Sequence, residues 1–264
     1  MEVRGKVAIV TGAAVGVGRA IAERLAAAGC TVVAVDLDDV QGPETVRRIR
    51  SAGGQARFHR ADLGSGAAVD AMVETTVGWY GGVDVLVNNA GGGAVGGAAY
   101  PEAGRGRWTA VLDVNLVAPM RAVQAVLPTM ASRGGGVVVN TGSTAGVGLD
   151  VHAWPEYAVA KAGLIRLTAT LAGLEAECGV RVNCVVPDWV ATERASAELA
   201  AMDEEAAALA ADPPLVPLDD LCEATMRLVV DEELAGRVVL LDRGVPPRLL
   251  EREQPPPVGD PLWP

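Results

Sequence analysis

The stretch T-G-A-A-V-G-V-G, residues 11–18, lies between an apolar run at 7–10 and an apolar, helix-periodic stretch at 19–28. Glycines at 12, 16 and 18 in a strand-to-helix turn let backbone come close to a pyrophosphate at the positive end of a helix. A second β-branched run, 31–35, follows and ends in Asp36, twenty residues beyond Gly16. An acidic residue there suits the adenosine ribose hydroxyls and repels a 2′-phosphate. No Arg or Lys lies within the loop or just after Asp36, so the pattern predicts NAD in preference to NADP. A turn or cap role is the plainer alternative for Asp36.

The same alternation continues along the chain. Helical patterns at 44–51, 67–80, 108–132, 155–177, 195–211 and 219–230 interleave with strand patterns at 55–59, 83–87, 137–140, 180–186 and 238–241. Strands separated by helices of this length imply right-handed crossovers and a parallel sheet covered on both faces. The spacing predicts a doubly wound, mostly seven-stranded α/β sheet over residues 1–244, with a substrate cover at about 188–218. Ligands in such sheets bind beyond the carboxyl ends of the strands, where Asp36, Asp62, Asn88 and Ser143 are placed. Pro119 inside the long helix predicts a kink, and Asn115 could cap it. The tail 245–264 holds seven of the sixteen prolines and is expected to be extended, either disordered or laid across a neighbouring subunit.

Between 137 and 161 the chain concentrates groups suited to proton transfer. The buried strand delivers Ser143 to its end, and Pro155 suits the first turn of the next helix. Tyr157 and Lys161 fall one turn apart on one face of that helix. A free phenol has a pKa of about 10, too high for a general base at neutral pH. An ammonium about 5 Å away would favour the phenolate by roughly 2 pKa units. Taken alone, Y-x-x-x-K also fits an exposed helical pair.

Composition removes several function classes. A net charge of −11 without any basic run argues against a nucleic-acid or anionic-membrane surface. The four cysteines show no metal-type spacing and read as reduced packing residues. The start of the chain leaves no room for a signal peptide, and no window resembles a membrane span, so a cytoplasmic protein is expected.

Taken together, T-G-x-x-x-G-x-G, the acidic end of the second strand, Asp62, N-N-A-G at 88–91, Asn115, Ser143 and Y-x-x-x-K make the chain resemble the short-chain dehydrogenase/reductase family, a Rossmann-type fold, up to about Gly244. The resemblance implies hydride transfer between NAD(H) and a secondary alcohol or ketone. Tyr157 would be the general base or acid, Ser143 would hold the substrate oxygen, and Lys161 would depress the tyrosine and grip the nicotinamide ribose. Asn115 would position a water leading from Lys161 to solvent. The implied cofactor contacts are Gly12, Val15, Gly16, Val17, Gly18, Asp36, Leu37, Asp62, Leu63, Asn89, Ala90, Gly91, Tyr157, Lys161, Pro187, Val190 and Thr192. The implied substrate wall is Ser143, Val147, Leu149, Trp154, Asp188 and Trp189, which suggests a mostly apolar alcohol or ketone. A homo-oligomer, dimer or tetramer, is implied through the helices that carry Asn115 and Tyr157.

Three departures from the family pattern stand out. Thirteen residues lie between Ser143 and Tyr157 where the family usually has twelve, so Thr144 competes with Ser143. Pro187-Asp188 replaces Pro-Gly; the Asp188 carboxylate either faces solvent or sits at the pocket mouth, where it would favour a polar or cationic substrate or the oxidised cofactor. Asp242-Arg243-Gly244 replaces D-G-G. His152 reads as a loop residue. Two other functions stay open at this point: a catalytically silent NAD-binding regulatory or interaction protein, and an NAD-assisted dehydratase or epimerase.

Overall fold

The computed structural model describes residues 1–93, 98–148, 152–204 and 211–250. One sheet of eight strands runs through it in the order β3-β2-β1-β4-β5-β6-β7-β8. The strands are β1 Val7–Thr11, β2 Thr31–Asp36, β3 Gln55–Arg60, β4 Val85–Asn88, β5 Gly136–Thr141, β6 Val180–Pro187, β7 Val238–Leu241 and β8 Arg248–Leu249. The first seven pair in parallel, and the order reverses between β1 and β4. Side chains of a strand alternate between faces, so each central strand feeds two cores. Ala8 and Val10 of β1 join Val32, Val85 and Val137 under the helices α1 (Gly16–Ala27), α2 (Gln41–Ser51) and α9 (Leu218–Val230). Ile9 points the other way, with Val33, Leu86 and Val138, toward α3 (Gly66–Tyr80) and α5 (Ala118–Ser132).

Several elements depart from expectation. The sheet gains an eighth, antiparallel strand in the proline-rich tail: Val239 pairs with Leu249 and Leu240 with Arg248, after a turn at Gly244 with φ 72°. An ion pair of Arg248 with Asp242, 2.5 Å, closes that hairpin. Pro246 and Pro247 donate no N–H, which keeps the added strand to two residues. The rest of the tail, from 251, lies outside the described residues.

The predicted helix at 155–177 divides into α6 (Pro155–Thr170) and a short α7 (Leu174–Cys178), with Gly173 at the junction. The helix expected at 195–211 starts at Glu193 and its first part, α8, ends at Ala200; residues 205–210 are outside the described set.

The long helix starts earlier than expected, at α4 (Arg105–Leu112), and continues through a widened π-type turn, Asp113–Val117, into α5. The Ala118 amide donates to the Asp113 carbonyl, five residues back. Pro119 offers no N–H to the Asn115 carbonyl four residues before it, so the expected kink takes the form of an extra residue in one turn. This helix, Arg105–Ser132, is long and apolar enough to cross a membrane by length and composition alone, although Asp113 and Arg121 interrupt its apolar run. Ala122, Val126 and Met130 on its inner side are packed into the core beneath it.

Candidate active site

Glycine is needed where the opening turn meets the end of β4. A Cβ on Gly12 would stand 2.8 Å from the Ala90 Cα, and one on Gly18 would stand 2.0 Å from the Gly12 carbonyl oxygen. That closeness lets the Asn89 carboxamide donate to the carbonyls of Thr11 (3.0 Å) and Gly12 (3.3 Å). The Thr11 hydroxyl, a group sequence reasoning quoted but gave no role, accepts the amides of Asn89 and Ala90, both at 3.0 Å. Helix α1 then begins after Val15 with no side-chain cap on its first N–H groups. Uncapped donors at a helix amino terminus, beside glycines that leave room for close approach, suit an anion.

Asp36 closes the same turn from the second strand. Its carboxylate accepts the amides of Ala14 (2.9 Å) and Asp38 (3.0 Å). The turn role is thus met, and each carboxylate oxygen keeps a further lone pair able to accept. Leu37 is exposed beside it, and Leu63 lies partly buried against the α3 core. Asp62 accepts the Gly64 amide at 3.0 Å. The first residue after the glycine turn, Arg19, is a cation the sequence reading passed over. Its guanidinium is held by the Ala14 carbonyl, Thr45 Oγ1 and Gln41 Oε1.

Across the β4–β5 end of the sheet, a cavity of about 890 Å³ gathers Ser143, Tyr157, Lys161, Asn89, Trp154 and Trp189. Val17, Gly91, Pro187, Val190 and Thr192 line it as well. Tyr157 and Ser143 line this cavity together, and the nearby Ser143 hydroxyl draws the phenol pKa downward. The Thr144 hydroxyl points elsewhere, donating to the Asp188 carboxylate at 3.4 Å, so the one-residue insertion leaves Ser143 as the partner of the tyrosine. Ser143 Oγ also accepts the Ala145 amide, capping a 3₁₀ turn at Thr144–Gly146.

Lys161 is buried, with its ammonium 2.8 Å from the Thr141 carbonyl and 5.5 Å from the centre of the Tyr157 ring. Burial pulls its pKa down to about 8. Burial raises the Tyr157 phenol, while the Ser143 hydroxyl and the positive charge of Arg194 oppose that rise. The sequence expectation of a tyrosine depressed by its lysine is therefore corrected. Desolvation outweighs an ammonium that is aimed at a strand carbonyl rather than at the phenol oxygen.

Asn115 sits in the widened turn with only 1% of its surface exposed. Its amide nitrogen donates to the carbonyls of Gly92 (3.0 Å) and Val111 (2.9 Å), and its oxygen accepts the Gly92 amide (3.0 Å). The side chain is a clamp on the segment that follows β4, at Gly92. A Cβ on Gly91 would meet Asn115 Oδ1 at 2.4 Å and Lys161 Nζ at 3.4 Å, which places the three residues together.

The expected substrate wall is met in part. Trp154, Trp189 and Asp188 border the cavity. Val147 does not: it turns behind the site onto Cys184, Val186 and Leu240, because the residue after the 3₁₀ turn faces the sheet. Leu149 lies outside the described residues. The Asp188 carboxylate is paired with Arg243 Nε at 3.1 Å, so it does not present an uncompensated charge to a substrate. His152, a loop residue that could line the pocket, does so, with its ring 5.9 Å from that of Tyr157; the charged lining residues Arg194 and its ion-pair partner Glu198 were not assigned from sequence. Arg194 and Glu198 are four apart on an acidic, Ala-rich helix, a spacing that reads as ordinary surface pairing. Another groove, about 680 Å³ and lined by Arg47, Arg50, Arg57 and Trp79, lies away from these groups. Its arginines are engaged with Glu44, the Ala56 carbonyl and the Trp79 ring.

A family model for short chain dehydrogenases matches residues 6–203, spanning the glycine turn, the serine strand and the tyrosine helix. The chain belongs to the short-chain dehydrogenase/reductase family. Within the family it is 39% identical over 238 residues to the short-chain reductase protein NovJ of Streptomyces niveus, covering 90% of this chain and 87% of that protein. Cyclohexanol dehydrogenase of Rhodococcus sp. is 36% identical over 271 residues, covering 93% of this chain and 97% of that one. A short-chain dehydrogenase/reductase structure from Burkholderia xenovorans superposes with a TM-score of 0.83 at 33% identity, covering 92% and 97% of the two chains. One from Beutenbergia cavernae, described as an NAD(P) dependent gluconate 5-dehydrogenase and carrying NADP at low occupancy, gives 0.81 at 33% identity, covering 91% and 96%. Family membership makes this chain an oxidoreductase acting on small molecules.

Proposed function

We propose that this oxidoreductase transfers a hydride between NAD(H) and a secondary alcohol or ketone. The reading is carried by one observation: Ser143, Tyr157 and Lys161 line a single cavity beyond the carboxyl ends of the strands. When bound, the nicotinamide supplies the hydride donor or acceptor. The α1 amides, Asn89, Thr192 and Lys161 would hold the cofactor, and the Asp36 carboxylate at the end of β2 supports NAD over NADP.

In the oxidation direction Tyr157 takes the alcohol proton while Ser143 fixes the oxygen. In reduction the tyrosine returns that proton to the forming alkoxide. Lys161, drawn close to neutral pH by burial, can pass a proton as well as stabilise a phenolate. The two indoles favour a largely apolar substrate, and a cyclic alcohol is a fair first probe given the cyclohexanol dehydrogenase relative.

The test uses absorbance at the nicotinamide band over a panel of alcohols and ketones, with fluorescence titration of NADH and NADPH. Tyr157→Phe is expected to lose turnover by about 10³-fold or more while keeping its NADH affinity. Equal turnover in that variant would remove the acid/base role, and tighter binding of NADPH would remove the cofactor preference.

A further inference from the structure

Two positions singled out in the sequence, Asp188 and Arg243, lie 55 residues apart and meet in the structure. Arg243 extends from the carboxyl end of β7, with Nε 3.1 Å from Asp188 Oδ2 and Nη1 3.2 Å from the Pro213 carbonyl. The other carboxylate oxygen of Asp188 accepts the Trp189 amide at 2.7 Å and the Thr144 hydroxyl at 3.4 Å. The Asp188 amide in turn donates to the Leu241 carbonyl. Four segments therefore meet in one carboxylate–guanidinium pair: the Ser143 turn, the turn after β6, the returning segment at 213–216 and the end of β7.

The pair is partly shielded, with side chains 35% exposed for Asp188 and 20% for Arg243. Next to it the chain forms a two-residue bridge. The Val216 amide donates to the Trp189 carbonyl and the Ala191 amide to the Val216 carbonyl, both at 2.9 Å. Trp189 is thus held on one side by Asp188 and on the other by the returning segment.

We propose that the Asp188–Arg243 pair is a positioning staple that sets the Trp189 wall at a fixed distance from the Ser143 turn and so determines how substrate fits. It rests on the oxidoreductase reading for its effect on turnover, but not for its effect on structure. Neither residue needs to touch the reacting atoms. Breaking the pair frees the substrate cover at two points while leaving the tyrosine, serine and lysine in place.

The staple is tested first without turnover, by hydrogen exchange of the intact chain with Arg243→Met, Asp188→Asn, their double variant and Arg243→Lys. In Arg243→Met the amides of Ala191 and Val216 should exchange about tenfold faster or more, with those of α1 and α6 unchanged. The double variant should be no worse than Arg243→Met, because Arg243→Met has already broken the pair that Asp188→Asn removes. Arg243→Lys should recover part of the protection, since it restores the charge without the planar fork. Unchanged exchange at both amides, or faster exchange spread evenly over α1 and α6, overturns the proposal.

The second arm measures cyclohexanol oxidation with NAD, or the best alcohol in the panel. KM should rise about tenfold in Arg243→Met with kcat within about threefold. A loss confined to kcat would place the pair in the chemistry and overturn the positioning role. If no alcohol is turned over, the functional reading fails while the exchange result still decides the staple.

Discussion

Lys161 shows how a site can be built against stability. Its ammonium is buried and, among the described residues, bonded to a strand carbonyl alone, and its pKa falls to about 8 from an ordinary value near 10.5. For a lysine depressed in this way the unfolded chain keeps its proton where the folded one has released it. Stability therefore rises as pH climbs from about 8 toward 10, and the penalty is fully present below 8. The parent should gain on the order of 2 kcal/mol between pH 7 and pH 10 relative to Lys161→Met, read by denaturant unfolding at both pH values. A pH-independent difference between the two would show that the ammonium is not desolvated. The residue types and order of this site were legible in the sequence, because one helical turn fixes Tyr157 and Lys161 on one face. The direction of the tyrosine shift was not. It depends on where the ammonium points, and that is set by the Thr141 carbonyl on another element.

At the scale of elements, the end of the sheet opposite the site is tied by one buried carboxylate. Asp84 accepts the Val7 amide at 2.9 Å and both Nε and Nη2 of Arg133, at 3.1 and 3.0 Å, with Lys6 at 3.5 Å. It links β1, the segment before β4 and the end of α5. Burial alone would raise this carboxyl, but the Arg133 bonds and the Val7 amide hold it below its usual range. The contribution is thus present above about pH 4 and is lost as pH falls through the lowered value. The two ways of breaking the tie are not equal. Arg133→Met leaves a buried carboxylate underpaired and should cost about 3 kcal/mol, while Asp84→Asn frees cations that turn to water and should cost about 1 kcal/mol. Urea unfolding at pH 7 checks the ratio, and a larger loss in Asp84→Asn would contradict it. The strand and helix alternation was readable because strands buried on both faces leave short β-branched runs, while the helices between them keep a 3.6-residue period. The widened turn before Pro119 and the placement of Val147 were not, since each is decided by what the neighbouring element leaves room for.

Over the whole molecule, the exposed apolar side chains Val117 (49%), Met120 (47%) and Val159 (61%) lie on the long helix and on α6. These are the two helices expected to meet a partner. Burying such side chains against a second copy would remove the apolar surface that a monomer leaves in water. Val159→Asp should shift the assembly toward smaller species by about tenfold or more in dissociation constant, measured by sedimentation velocity, with NADH affinity retained. A monomeric parent would dismiss the oligomer altogether. Long-range pairings were the part of the architecture that local patterns could not disclose. The eighth strand depends on a tail folding back on β7, and the Asp188–Arg243 contact joins positions that carry no mutual signal along the chain.

The extra residue in the turn at Asp113–Val117 separates the long helix into two phases. A regular helix advances about 100° per residue, so α4 and α5 present their side chains on axes offset by that amount. Shortening the turn by a single residue would keep the rod helical yet swing Asn115 and everything before it around the axis. The clamp on Gly92 would be lost, although no residue in contact with it had been replaced.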